Sequence, residues 1–223
     1  MSQIRKSSDQ DVIDGQAIYS KKMLSVYDIY VLGFSNHLIW RCPTKFITDL
    51  YNQNISDRHL DVGVGTGYFL DKCRFPSDSS TVVLLDLNKN SLDATAMRIK
   101  RYQPSTFVRN ILEPIELPET NFQSIAINYL LHCIPGSIPE KAVVFDHLLP
   151  HLQKGGVIFG STIIHKGIQR GFFARKLMAI YNEKGIFHNT NDSLEDLEQA
   201  LSNRFSRFEI ETRGVVALFK AWK

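Results

Sequence analysis

The chain has 223 residues and a formal net charge of +3. Its length suits one domain with an ordinary core, and 43% hydrophobic against 22% charged residues excludes an intrinsically disordered chain. The charge is too small to point to nucleic acid on its own. No run of residues approaches the roughly 18 apolar positions of a membrane span.

The polar opening, Met1 to Asp9, has no apolar segment of a secretory signal. Cys42, Cys73 and Cys133 are scattered, with neither metal-ligand spacing nor a disulfide framework. The expected state is reduced thiols in the cytoplasm, with no metal and no membrane partner.

Residues 1–15 read as a flexible lead-in. From 16 to 42, aromatic and long apolar side chains recur every three to four positions, which predicts one or two short helices. Pro43 suits the first turn of the next helix, whose apolar stripe is Phe46, Ile47, Leu50 and Tyr51. Residues 16–55 are therefore expected as a helical cap, and residues 56–223 as the core of a single domain.

Strand and helix then alternate. Residues 59–62 form a short apolar strand running into a glycine loop, and a helix over 69–73 follows. The run Thr81-Val82-Val83-Leu84-Leu85 is a strand covered on both faces, ending at Asp86. A helix over 91–101 precedes short strands at 106–109 and 124–127. Ser137, Pro139 and Glu140 make a capping box with proline in the first turn. Its helix is expected to run toward Leu152 and stop at Gly155-Gly156. A fifth strand occupies 157–164. Two final strands, 205–212 and 215–222, flank Arg213-Gly214 as an antiparallel hairpin. The pattern predicts an α/β, doubly wound, mostly parallel seven-stranded sheet, helices on both faces, with a C-terminal antiparallel hairpin.

The strongest local feature is Asp61-Val62-Gly63-Val64-Gly65-Thr66-Gly67, set between a strand and a helix. The dinucleotide pattern Gly-x-Gly-x-x-Gly fails, because Tyr68 or Leu70 stands where the third glycine is needed. Without Lys-Ser or Lys-Thr behind it, the loop is no nucleoside-triphosphate cradle either. The form acid-x-Gly-x-Gly-x-Gly resembles the first motif of the class I S-adenosylmethionine-dependent methyltransferases, in their small-molecule (type 11/12-like) branch. Asp86, nineteen residues after Gly67, ends the next strand, where a carboxylate accepts bonds from both ribose hydroxyls.

The resemblance covers residues 57–164 well and implies S-adenosyl-L-methionine as cofactor, with S-adenosyl-L-homocysteine as product. The cofactor set it implies is Asp61, Gly63, Gly65, Gly67, Asp86, Leu87, Asn110, Ile111 and Asn128. Asn110 serves equally as a strand-ending turn former. The candidate acceptor pocket is drawn from Tyr27, His37, Trp40, Tyr129 and His132, with Tyr30 and Arg41 nearby. The bland reading of the aromatics is helix packing. His132 is the candidate general base, or a cap or loop hydrogen bonder.

The Pro-Pro-aromatic signature of nucleic-acid amino-methyltransferases is missing after Asn128. The basic, aromatic-bearing stretch 165–176 is either a solvated helix face or a steering surface for an anionic acceptor or RNA. Three activities stay open. One is methyl transfer to a small molecule; another is an RNA or protein methyltransferase; the last is a cofactor-binding fold without methyl transfer.

Overall fold

The computed structural model describes residues 28–223, with the backbone alone for 28–33. Tyr27, the side chain of Tyr30 and the expected lead-in lie outside the described residues.

A wide, π-type helix spans Asp28–Ile39. It is followed by α1 (Thr44–Asn54), which buries Ile47, Leu50 and Tyr51, the stripe expected of it. The strands are β1 (Arg58–Val62), β2 (Thr81–Asp86), β3 (Ser105–Val108), β4 (Phe122–Asn128), β5 (Leu152–Ile163), β6 (Arg207–Arg213) and β7 (Val216–Trp222). They form one sheet in the order β3-β2-β1-β4-β5-β7-β6. The first five neighbours pair in parallel, and β7 pairs antiparallel with both β5 and β6. Strand order reverses between β1 and β4, and an open parallel sheet holds its ligand at the carboxyl ends of the strands beside such a point.

Continuous apolar runs make the central strands. Val82 to Leu85, and Ile125 to Ile127, are almost fully buried, because helices cover both faces. One face packs Leu60, Val83, Ile125, Phe145 and Phe219 together. The other packs Trp40, Tyr51, Phe69, Leu84 and Phe159. Between the strands lie α2 (Tyr68–Lys72) and α3 (Lys89–Arg98), the latter capped by the Asn88 side chain accepting from Asn90 N–H at 2.8 Å.

The single helix expected from Ser137 toward Leu152 is broken. It divides into α4 (Ile138–Lys141), α5 (Val143–Leu148) and a 3₁₀ turn at Leu149–His151. The capping box is present, Glu140 accepting from Ser137 N–H at 2.7 Å, but Pro150 removes a helical donor and the last turn tightens. The glycine pair expected to stop the helix lies instead inside β5, which starts at Leu152. Gly155 has φ +77, and the β4–β5 register shifts between Phe122 and Ser124, so the glycines serve a strand irregularity.

Helices α6 (Phe172–Glu183) and α7 (Leu194–Ser202) follow β5. In α6 the buried face is Ala174 and Met178. Phe172 and Phe173 are 65% and 71% exposed, while Ala174, on the same first turn, is buried. α7 was not among the expected elements. It is capped by Ser193, whose hydroxyl accepts from Asp196 N–H at 2.9 Å.

Candidate functional site

The glycine loop leaves β1 at Val62 and enters α2 at Tyr68, with Gly63, Gly65 and Gly67 all at positive φ. Two of these glycines do different jobs. A Cβ on Gly67 would stand 2.7 Å from Thr95 Cγ2, so this glycine lets the loop dock on α3. A Cβ on Gly65 would meet nothing within 4 Å, so the backbone there faces open space.

That space is two clefts. The larger encloses about 790 Å³ including its mouth and is lined by Gly63, Gly65, Asp86, Leu87, Ile111 and Tyr129, among others. The second encloses about 480 Å³ and is lined by Tyr51, Asp61, Gly63, Gly65, Asn128 and Tyr129, among others. They meet at Gly63, Gly65 and Tyr129. Asn110 and Arg109 also border the larger cleft, Gly67 and Tyr68 the smaller.

Asp86 is half-buried at the carboxyl end of β2. One carboxylate oxygen accepts from Asn88 N–H at 2.8 Å, and the backbone N–H groups of Gly65 and Val64 also bond the carboxylate. Burial still outweighs these donors and pushes its pKa up to about 6. The carboxylate thus splints the glycine loop to β2 and has acceptor sites left over.

Asp61 is buried at the floor of the second cleft. Its Oδ2 accepts from Tyr51 Oη at 2.8 Å and lies 3.5 Å from His59 Nε2. His59 Nδ1 lies 2.8 Å from Ser124 Oγ, which in turn is 2.6 Å from Ser56 Oγ. Burial first, and Asp61 second, hold the Tyr51 phenol well above its ordinary pKa. Tyr51 and His59 were not expected here. β1 carries His59 two residues before Asp61, on the same face of the strand, while Tyr51 comes from α1 and reaches Asp61 only through the packing of α1 on the sheet.

Asn128 accepts from Ser161 Oγ. Asn110 is spent on a turn: its Oδ1 accepts from Leu112 N–H at 3.1 Å and its Nδ2 donates to Glu113 at 3.2 Å. Ile111 is buried and borders the larger cleft.

Tyr129 has φ +53, a left-handed conformation that costs a non-glycine residue energy. Its Oη donates to Asn36 Oδ1 at 3.0 Å, and Asn36 Nδ2 donates to Thr44 Oγ1 at 3.1 Å. The π-type helix is thereby tied to the junction of the clefts. His132 stands edge-on to Tyr129 at 5.5 Å and to Phe187 at 4.5 Å between ring centroids. Burial, with Lys141 as the second cause, pushes its pKa down to about 3.

Lys141 and Asp192 form a buried ion pair at 2.7 Å, and Lys141 also donates to His188 O at 2.8 Å. Of the expected acceptor residues, Trp40 is 2% exposed and packs on Phe187 at 5.9 Å, away from the clefts, while His37 is exposed. The pKa values of Cys42, Cys73 and Cys133 are all pushed up to about 12 by burial, so these thiols are unreactive at neutral pH. Among the described residues there is no group of three or more His, Cys, Asp or Glu placed to hold a metal. No described helix is long and apolar enough to cross a membrane.

A methyltransferase domain model matches residues 60–158, the stretch that supplies the lining of the larger cleft and, Tyr51 apart, of the second. The chain is 41% identical over 214 residues to demethylluteothin O-methyltransferase of Streptomyces thioluteus, covering 96% of this chain and 93% of that one. It is 35% identical over 211 residues to the physcion biosynthesis cluster O-methyltransferase of Aspergillus chevalieri, covering 94% and 95%. The crystal structure of the N-methyltransferase NodS from Bradyrhizobium japonicum, in complex with S-adenosyl-L-homocysteine, shares the fold with a TM-score of 0.57 at 12% identity, over 81% of this chain and 87% of that one. Sheet order, glycine loop and near full-length relatives agree: the chain belongs to the class I S-adenosylmethionine-dependent methyltransferases, in their small-molecule branch.

Proposed function

We propose that this chain binds S-adenosyl-L-methionine and transfers its methyl group to an oxygen atom of a small organic acceptor, as an enzyme of class EC 2.1.1.-. The observation that carries the reading is the pair of clefts meeting at Gly63, Gly65 and Tyr129. The residues fit the cofactor: the bare backbone of Gly65 faces the open space that a side chain would fill.

The apolar larger cleft, with Ile111, Leu87 and the Asp86 carboxylate, suits a nucleoside, whose ribose hydroxyls would donate to Asp86. Asn110, whose amide is already engaged, would border the base without reading it through its side chain. The polar second cleft, with Asp61, Asn128 and the loop backbone of Gly63, Gly65 and Gly67, suits an ammonium and a carboxylate. The sulfonium would then lie where the clefts meet.

When bound, the cofactor supplies an already activated methyl group, so the chain's task is alignment and exclusion of water. Tyr129 walls the junction, and its tie to Asn36 holds that wall in place. The names of the sequence relatives support an oxygen acceptor and a role in secondary metabolism. The scattered free thiols fit a reducing, cytoplasmic location. An RNA or protein acceptor has behind it the segment 165–176, with Phe172 and Phe173 exposed beside Arg175 and Lys176.

Calorimetric titration with S-adenosyl-L-methionine and S-adenosyl-L-homocysteine tests the cofactor, and a panel of phenols and enols incubated with S-adenosyl-L-methionine tests the acceptor. Binding of both cofactor forms, with methylated product from an oxygen acceptor, is expected. No binding of either sinks the reading. Cofactor binding with turnover only on RNA or protein moves it to the macromolecular alternative, and binding without any turnover moves it to a non-transferring fold.

A further inference from the structure

Several surface cations of this chain are paired. Lys89 meets Asp93 at 2.7 Å, Arg101 meets Asp71 at 2.8 Å, and Arg204 meets Asp146 at 2.7 Å. The segment after β5 is different. Lys166, Arg170, Arg175 and Lys176 fall within residues 165–182, a stretch with no Asp or Glu. Among the described residues none of the four forms an ion pair with a carboxylate. Lys166 donates instead to the neutral amide of Asn191 at 2.9 Å.

The same segment holds two large apolar rings in water. Phe172 and Phe173 are 65% and 71% exposed. On α6 they stand three or four positions from Arg175 and Lys176, which are exposed as well, so the rings and the cations are neighbours on the helix surface. Ala174 and Met178 hold the other face of α6 in the core. Leu38, 57% exposed, lies near the end of the π-type helix. That end adjoins α6, because Arg41 Nη2 lies 3.8 Å from the position of a Cβ on Gly171. Residues 34–48 also contain no Asp or Glu.

We propose that this face rests on an anionic lipid surface, with Phe172 and Phe173 entering among the headgroups and Lys166, Arg170, Arg175 and Lys176 meeting the lipid phosphates. A protein lies on a bilayer, without a helix that crosses it, when exposed apolar side chains and clustered cations share a face. Four cations with no carboxylate among them complement a negative surface. RNA would meet the same charges, but it also needs ring faces on which successive bases stack. The two rings cross at 77° with centroids 5.6 Å apart, so one ring's edge is set against the other's face and they form no common platform. Entry into a headgroup layer asks for no such platform, only for apolar area. α6 follows β5, on the edge of the sheet where the carboxyl ends of the parallel strands hold the clefts. The contact turns that edge toward the lipid. It stands independently of the cofactor reading, and so does its test.

The full chain is floated with vesicles of phosphatidylcholine alone and with vesicles that also contain phosphatidylglycerol. Strong binding to the second kind and little to the first is expected. Raising the salt from about 0.1 M to about 1 M shortens the screening length from about 10 Å to about 3 Å and should release most of the protein. Arg175→Gln with Lys176→Gln should weaken binding about thirtyfold, the scale of two cations at an anionic surface. Phe172→Ser with Phe173→Ser should weaken it at least about tenfold, because the rings no longer bury apolar area. All four side chains are exposed, so the melting midpoint should stay in place. Lys89→Gln with Lys100→Gln removes the same charge elsewhere and should change little.

Equal binding to both kinds of vesicle, or binding to neither, overturns the proposal. So does a loss in Arg175→Gln with Lys176→Gln no larger than in the Lys89 and Lys100 control, or full binding by the phenylalanine variant. A single-stranded RNA homopolymer that binds the chain and displaces it from the vesicles assigns the face to nucleic acid and also overturns it. If a variant fails to fold, the parent's dependence on lipid composition and salt decides.

Discussion

If the ribose hydroxyls bind Asp86 as proposed, cofactor binding should depend on pH, and the size of the effect follows from the surroundings of its carboxylate. Burial holds its carboxyl at about 6, above the ordinary 3.8, even though Asn88, Gly65 and Val64 donate to it. Ribose hydroxyls donating to the same carboxylate favour its charged form, so the bound pKa lies lower. The sign follows: the ligand prefers the ionised protein, and affinity is full above about 6 and falls as pH drops through it. If binding returns the carboxyl to its ordinary value, S-adenosyl-L-homocysteine binds about tenfold more weakly at pH 5 than at pH 8, and binding at pH 6 releases about half a proton. Calorimetry in buffers of different ionisation enthalpy measures both numbers. Asp86→Asn should remove the pH dependence and cost about 2–4 kcal/mol of affinity, the scale of losing charge-assisted bonds to two hydroxyls. An affinity flat from pH 5 to 8 with no proton release refutes the argument, as does a slope that persists in Asp86→Asn.

Three further outcomes are expected. Lys141→Met leaves the buried Asp192 carboxylate without its cation, which costs about 3–5 kcal/mol; a thermal melt should drop by about 6–20 °C, and an unchanged midpoint would remove the pair's structural role. Gly67→Ala should destabilise the fold by about 1–3 kcal/mol through the clash with Thr95, whereas Gly65→Val meets no neighbour, should cost about 1–2 kcal/mol of left-handed backbone strain at φ +55, and should lose S-adenosyl-L-homocysteine binding, so titration rather than melting should separate the two glycines. Tyr129→Phe strands the Asn36 carbonyl, buried at 0% exposure, at a cost of about 1–3 kcal/mol; amide exchange should quicken first in the residues around Asn36 and Thr44.

The parallel sheet is legible because each buried strand must be a continuous apolar run, and the hairpin because Arg213-Gly214 punctuates two such runs. The glycine loop is legible because positive φ demands glycine at fixed spacing. What the local pattern hides are contacts between distant elements. Tyr51 reads as one ring in an apolar stripe, yet its hydroxyl caps a carboxylate ten residues on. Trp40 reads either as a pocket residue or as helix packing, and the fold decides for packing, the ring filling the core against Phe187. His132 reads as a base or as a hydrogen bonder within the fold, and the Ile163 amide, from the neighbouring strand, donates to its Nδ1. α7 did leave a signal in Ser193 and Asp196, with Leu194, Leu197 and Leu201 at helical spacing.

Tyr129 joins the sheet to the helical segment that precedes α1. A left-handed tyrosine persists only where its surroundings over-determine it. Here the sheet holds its backbone, Tyr129 N–H donating to Ser161 O at 2.8 Å, and the helical segment before α1 holds its hydroxyl through Asn36. The same ring borders both clefts and faces His132. A change in how the N-terminal helix packs must therefore reach the place where the methyl group would pass, because one side chain is anchored in both. Relatives that keep the glycine loop and Asp86 but alter the segment carrying Asn36 should hold the same cofactor and accept different oxygens.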